Sequence, residues 1–441
     1  MVNLHVGQRM RTRRPSSFVD LDELAAVENR WTRQQVEVFQ LTQLRRTIRI
    51  AETFCPFYAQ RFADHGVSYL DLHTAEDMAL FPVLTQQDVT DHRDELTIKP
   101  RSGSSWARTN SGEHHEGSLR SKTARGTPPE QKEQVFVEQM LRRAGKQANH
   151  RTLQLGDGFD TGTTRSRRWL FDIRRKSLHL STSDLSVDTV DDYIHRLEKF
   201  RPHFIVAYPS ALLMLALHID SEDSDLHHDL QAIICTDERL DSPQRAFLEK
   251  VFKTDVLGRY VQPERVVLAS QIATSDLYHF SPGYGYAELD EPGPTGMCEV
   301  LGTSFHHDSM PLVRYRTGDL TPSATSGSED QSFPWLTVPG FVGRTDEFLV
   351  DTSGKRVWPV HLSLDESPFK HIVAIQFFQN KPGAVTMRFV ASRGISKHEK
   401  KLLVRHLSVV LGKKLRVSVQ QATSLPRSDD GKLPWVVRQL T

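Results

Sequence analysis

The spacing of apolar residues changes period several times along the chain, and each change marks an element. Over residues 20–62 apolar side chains recur three to four positions apart, at Leu21, Leu24, Ala25 and Trp31 and then from Val36 to Phe54, which predicts helices. Thr85, just after Phe81-Pro82-Val83-Leu84, is placed to cap another. A basic helix is expected over 129–148. Beyond it, short unbroken apolar runs at 153–155, 204–207 and 232–235 alternate with helical patterns at 190–200, 211–219 and 242–252. Strands that are apolar on both faces, interleaved with helices, predict a doubly wound α/β sheet. A Gly/Pro/acid turn at 288–294 leads into a strand at 297–303. Later, 348–359 reads as a hairpin on Ser353-Gly354, followed by strands at 373–378 and 385–390, a helix at 397–411 and a strand at 415–420. That tail predicts a small α+β unit.

Composition narrows the class. With 441 residues, 38% of them hydrophobic and 25% charged, the chain is long enough for two or three domains. Lys+Arg 56 against Asp+Glu 55 leaves +1, which gives no field for nucleic acid. The basic segment holding Arg9, Arg11, Arg13 and Arg14 leads into no apolar stretch of signal-peptide type, and no membrane span is expected. Cys55, Cys235 and Cys298 are far apart, so no disulfide framework or zinc set is expected and the location is read as cytoplasmic. The basic run from Arg165 to Lys176, and the pair His306-His307, read as solvated loops.

Candidate chemistry centres on Met310-Pro311-Leu312-Val313-Arg314-Tyr315-Arg316-Thr317-Gly318-Asp319-Leu320. It reads as a strand over 312–315 and a Thr317-Gly318 turn that delivers Asp319 to an exposed edge. There a carboxylate could accept hydrogen bonds from a sugar diol, since ligands gather at strand ends. Gly343-Arg344-Thr345-Asp346 and Pro426-Arg427-Ser428-Asp429-Asp430-Gly431-Lys432 follow it, and Tyr208-Pro209-Ser210-Ala211-Leu212 precedes it. In this order and spacing the strings resemble the adenylate-forming, acyl-activating superfamily, most closely its phenylacetate–CoA ligase and capsule-biosynthesis-type branch.

The resemblance implies a large N-terminal domain of mixed and parallel sheets with helices (1–345, with a helical lead-in over 1–100). A small mobile C-terminal α+β lid (346–441) would hinge at Asp346. It implies ATP, Mg²⁺ and coenzyme A as cofactors, and activation of a small-molecule carboxylic acid to an acyl-adenylate that passes to CoA or another acceptor. Thr109, Ser111 and Gly112 would open the phosphate loop, Tyr260 would stack on adenine, and Glu264 would hold Mg²⁺. Asp319 and Arg344 would grip the ribose, Glu238 would line the acyl and adenine sites, and Lys432 would meet the transition state. The chain departs from the family pattern at Val261, at Pro263, and at Glu113-His114-His115-Glu116, whose carboxylates would repel a polyphosphate. A nucleotide-binding homologue that no longer adenylates, or an amide or ester synthetase without CoA, are the alternatives, and a homodimer is compatible with either.

Overall fold

The computed structural model of the chain describes residues 21–98, 129–156, 169–222, 229–273, 275–323, 335–362, 369, 371–428 and 431–440. The lead-in is helical, as its periodicity requires: α1 (Leu21–Val27), α2 (Arg33–Phe54), α3 (Pro56–His65), α4 (Gln86–Asp91) and α5 (Arg93–Leu96). Thr32 and Gln35 cap α2 reciprocally, as Thr85 and Asp88 cap α4. The buried Tyr58 of α3 ties this segment to the central string. Its hydroxyl donates to the Pro311 carbonyl and accepts from the Val313 amide, both at 3.0 Å.

The large sheet is built from β1 (Thr152–Leu155), β2 (Trp169–Asp172), β3 (Ser177–Leu180), β4 (Phe204–Ala207), β5 (Ala232–Thr236), β6 (Val256–Val261), β7 (Leu268–Ile272) and β8 (Ser275–Phe280). After β9 (Gly285–Leu289), β10 (Cys298–Ser304) and β11 (Tyr315–Thr321), the short β12 (Thr337–Val338) joins it at the edge. The order is β12-β8-β7-β6-β5-β4-β1-β3-β2, parallel from β3 through β1, β4 and β5 to β6 and antiparallel outside. Helix α6 (Pro129–Arg143) packs with α1 on one face, over Phe204, Ala232, Ile234 and Leu257. On the other face lie α7 (Val190–Phe200), α8 (Pro209–Ser221) and α9 (Ser242–Phe252), over Ile205, Ala207, Ile233 and Cys235. Alternate residues of β4 and β5 thus feed two apolar layers, which is why both strands read as unbroken apolar runs.

A second sheet runs β13-β11-β10-β9, with β13 at Gly343–Arg344. β14 (Leu349–Val350) and β15 (Arg356–Val357) form the expected hairpin. A third sheet, ordered β18-β17-β16-β19, is built from β16 (Ile372–Lys381), β17 (Ala384–Ala391), β18 (Arg416–Gln421) and β19 (Val436–Arg438), with α10 (Lys397–Val410) packed through Leu403 and Leu407. This is the α+β tail the sequence predicts. Val373, Ala374 and Val390 pack into the core beneath α8 and α9, so the tail lies against the large sheet's helical layer.

One local expectation is overturned. The strand expected over 312–315 begins at Tyr315 and runs to Thr321, so Asp319 lies inside β11 and is only 9% exposed, not beyond a turn at an exposed edge. Gly318, at φ +78°, makes a bulge in the ladder to β10 instead of a chain reversal. The Glu299 carboxylate accepts the Gly318 amide at 3.0 Å, and the Thr317 hydroxyl donates to the Val300 carbonyl at 2.9 Å. Those two bonds let the strand continue through a turn-like dipeptide.

Candidate active site

The bulge aims Asp319 at β6 and β13. Tyr260 Oη donates to Asp319 Oδ2 at 2.7 Å, and Arg344 Nη1 donates to Oδ1 at 2.8 Å. Arg344 faces Asp319 because the two are register partners across β11 and β13. Burial pushes the Asp319 carboxyl above the usual range, while the guanidinium and the phenol pull it back. A carboxylate offers about four acceptor positions, so the two oxygens can still take donors from a ligand. Three residues singled out in the sequence are therefore brought into one cluster.

The Tyr260 ring is not open to stacking on every side. Phe341 lies against it with ring centroids 3.6 Å apart and planes 16° from parallel, and Phe280 meets it edge-on at 6.2 Å. Sequence reasoning missed Phe341, although an aromatic just ahead of Gly343-Arg344 is a usable signal. Glu264 follows β6, and its Oε1 accepts from Tyr315 Oη at 2.9 Å. Among the described residues no group of three or more His, Cys, Asp or Glu is ready to hold a metal. A single carboxylate fits Mg²⁺ nonetheless, because that ion is commonly held by one or two carboxylates together with substrate phosphates. Glu264 is the residue that would hold it.

A second cluster forms where β5 ends. Asp237 takes a left-handed conformation (φ +64°), unusual for a residue other than glycine, and turns the chain sharply beside β6. Glu238 follows, buried. Its Oε2 accepts the Ser210 amide at 2.9 Å, and its Oε1 accepts the Ser210 hydroxyl at 2.8 Å and the Leu433 amide at 2.6 Å. Expected from the resemblance to line the acyl and adenine sites, Glu238 here ties the terminal loop to the first turn of α8. Arg427 reinforces the tie by donating to Ser210 Oγ at 2.6 Å and to the Gly431 carbonyl at 2.8 Å. Within the loop, Ser428 N donates to the Lys432 carbonyl and Gly431 N to the Ser428 carbonyl, both at 2.9 Å. Lys432 is thereby held at the β5 end, with Nζ 3.8 Å from Asp237 Oδ1.

Arg239, which carried no weight in the sequence, joins the parts. It donates to Asp241 Oδ1 at 2.6 Å, to the Val342 carbonyl at 3.0 Å and to the Leu362 carbonyl at 3.0 Å, and its guanidinium lies 4.6 Å from the Trp435 ring centroid. Thr109, Ser111 and Gly112, with Glu113-His114-His115-Glu116, lie outside the described residues. His306 and His307 overturn another expectation: His307 is buried and His306 half-buried. His306 Nε2 is 3.1 Å from the Gly283 carbonyl, and burial drives the two imidazoles down to about 4 and about 3, so both are neutral. The Lys132 ammonium holds the His306 carbonyl at 3.0 Å and draws this loop under α6.

The chain is similar to known proteins in sequence and in fold. Residues 349–439 match the family described as the CapK C-terminal domain. Over 421 residues the chain is 24% identical to a phenylacetate-coenzyme A ligase of Pseudomonas putida, covering 88% of this chain and 91% of the relative. It is 21% identical to protein CapK of Staphylococcus aureus, covering 62% of this chain and 61% of that one. A solved 2-hydroxyisobutyryl-CoA ligase in its postadenylation state shares the fold at a TM-score of 0.67, with 16% identity over 91% of this chain and 89% of that one. The tail thus matches a CapK C-terminal domain, the relatives matched along most of the chain are phenylacetate–CoA ligases, and the fold is shared with a solved CoA ligase.

Proposed function

We propose that the protein activates a carboxylic acid with ATP and then passes the acyl group to the thiol of coenzyme A or to another acceptor. In the first step a carboxylate oxygen bonds to the α-phosphorus, the bond to the bridging oxygen breaks, and pyrophosphate leaves. In the second, the acceptor attacks the acyl carbonyl and AMP leaves. The observation that carries this reading is the docked Lys432 loop. Its ammonium stands at the carboxyl ends of the parallel strands, where an α/β sheet binds ligands.

Charge gathers on the α-phosphate in the first step, so a fixed cation there lowers the barrier. Lys432 supplies it. Asp319 accepts the ribose hydroxyls while Tyr260 and Arg344 hold its carboxylate in place. An adenine ring that stacks on Tyr260 uses the face now covered by Phe341, so nucleotide entry moves Phe341. Mg²⁺ at Glu264 would neutralise the phosphates. The boundary falls after residue 345, with Asp346 as the hinge of a lid formed by 346–441.

ATP–pyrophosphate exchange over a panel of acids, with thioester formation followed when CoA is added, tests this. Acid-dependent exchange is expected. Nucleotide binding without exchange on any acid would favour a homologue that binds but no longer adenylates.

A further inference from the structure

Arg239 lies in the turn after β5, its side chain 17% exposed, and its guanidinium reaches three separate stretches of the chain. Nε donates to Asp241 Oδ1 at 2.6 Å, and Asp241 is itself fixed at the start of α9, where its amide donates to Gln244 Oε1 at 2.9 Å. Nη1 donates to the Val342 carbonyl. Val342 stands between two parts of the proposed nucleotide site: Phe341, stacked on Tyr260, precedes it, and Gly343-Arg344 follows, with Arg344 on Asp319. Nη2 donates to the Leu362 carbonyl, and the guanidinium lies over the Trp435 ring. Leu362 belongs to the apolar core of the α+β tail, and Trp435 packs against that core. Trp435 is also three positions beyond Lys432, and its amide donates to Glu347 beside the proposed hinge.

We propose that Arg239 is a positioning residue that seats the tail in the adenylating orientation and ties that seating to the nucleotide site. The inference rests on the adenylating reading and on the hinge at Asp346 given above. A turn of residues 346–441 about that hinge carries Leu362 and Trp435 away while Asp241 and Val342 stay with the large domain, so the guanidinium keeps all its partners in one orientation. The contacts of Val373, Ala374 and Val390 beneath α8 and α9 hold the tail without fixing its direction, because apolar burial is non-directional. Glu238 and Arg427 tie the terminal loop to α8, and Gln244 Nε2 at α9 donates to the Val373 carbonyl at 2.8 Å. Those ties run to α8 and α9, whereas Arg239 also reaches the 341–344 string. Its planar fork offers five N–H groups in fixed directions, which suits acceptors on three stretches. A lysine ammonium on a flexible stem does not hold that arrangement. Seating of Lys432 and setting of Phe341 and Arg344 then go together.

The test reads the orientation of the tail directly. Cys55, Cys235 and Cys298 are buried, so spin labels placed at Arg33→Cys and Lys413→Cys, both exposed positions, report the distance between α2 and the tail. Arg33→Cys with Glu222→Cys, exposed at the end of α8, is the control pair within the large domain. With a non-hydrolysable ATP analogue present, the otherwise wild-type chain should give a single narrow 33–413 distance distribution. Arg239→Met and the gentler Arg239→Lys should broaden it or add a second distance, while the 33–222 pair stays narrow. A 33–413 distribution equally narrow in either variant, or already broad without them, would overturn the proposal. So would broadening of both pairs in Arg239→Lys, which is general loosening. In ATP–pyrophosphate exchange over an acid panel, kcat should fall by about 10–100-fold in both variants, since a misplacement of about 1 Å can cost about 10²-fold. Exchange at wild-type kcat in either variant also overturns it. If the wild type exchanges on no acid, the adenylating reading fails separately, and the distances alone decide the role of Arg239.

Discussion

Tyr260 Oη and Asp319 Oδ2 are 2.7 Å apart, and this bond joins β6 of the large sheet to β11 of the second sheet at the proposed ribose site. Both groups are buried, so the bond is part of the scaffold as well as part of the site. Tyr260→Phe leaves a buried carboxylate one donor short, which should cost about 1–3 kcal/mol in chemical denaturation. Asp319→Ala should instead act on the ligand. Losing a charge-assisted acceptor weakens ATP binding by roughly 10–100-fold and leaves acid affinity much less affected. Unchanged nucleotide affinity in a folded Asp319→Ala protein would remove Asp319 from the ribose site.

The proposed hinge can be tested by stiffening it. Asp346 is 72% exposed at the side chain and receives Arg344 Nε at 3.2 Å, so it is tied lightly. Asp346→Pro restricts the backbone there and should hold the lid in one orientation. Adenylation by pyrophosphate exchange should be largely retained while thioester formation falls. Equal loss of both half-reactions would argue against a two-orientation lid.

Beside the hinge, Glu347 gives a pH signature. Its Oε2 accepts the Arg344 amide at 3.1 Å and its Oε1 the Trp435 amide at 3.3 Å, bridging the central string and the tail. Burial first, and then repulsion from Asp346, pushes its pKa up from 4.5 to about 7. A proton held more tightly in the folded state stabilises it fully below the unfolded value, and that contribution is lost as pH rises through about 7. Glu347→Gln should therefore gain melting temperature relative to wild type between about pH 5 and about pH 8. Parallel melting profiles for the two proteins would show that Glu347 is not a bridge of this kind.

Much of this was legible in the sequence because it is encoded locally. Unbroken apolar runs marked β4 and β5, period changes marked the α+β tail, two short strings held Asp319 and Arg344, and the resemblance they carry added Tyr260; the fold brings the three together. What was not legible depends on distant pairs. Glu238 is a clamp only because Ser210, 28 positions before it, and Leu433, 195 after it, meet at one carboxylate. Asp319 was placed beyond a turn because Gly318 carries a turn signal, and only the Glu299 carboxylate on β10 turns that signal into a bulge. His306 and His307 read as solvated because nothing nearby covers them; α6 does, from more than a hundred positions away.

The central claim is that Lys432, held at the end of β5, supplies the cation for adenylation, and Lys432→Ala tests it most directly. Its side chain is partly exposed and lies 3.8 Å from Asp237, so truncation should leave the melting temperature close to wild type. Losing a contact to transition-state charge typically lowers the rate by about 10²–10³-fold. Pyrophosphate exchange should fall by that order, with ATP binding nearly unchanged and thioester formation from a pre-made acyl-adenylate spared. Exchange that survives in the folded variant at wild-type rate would contradict the account.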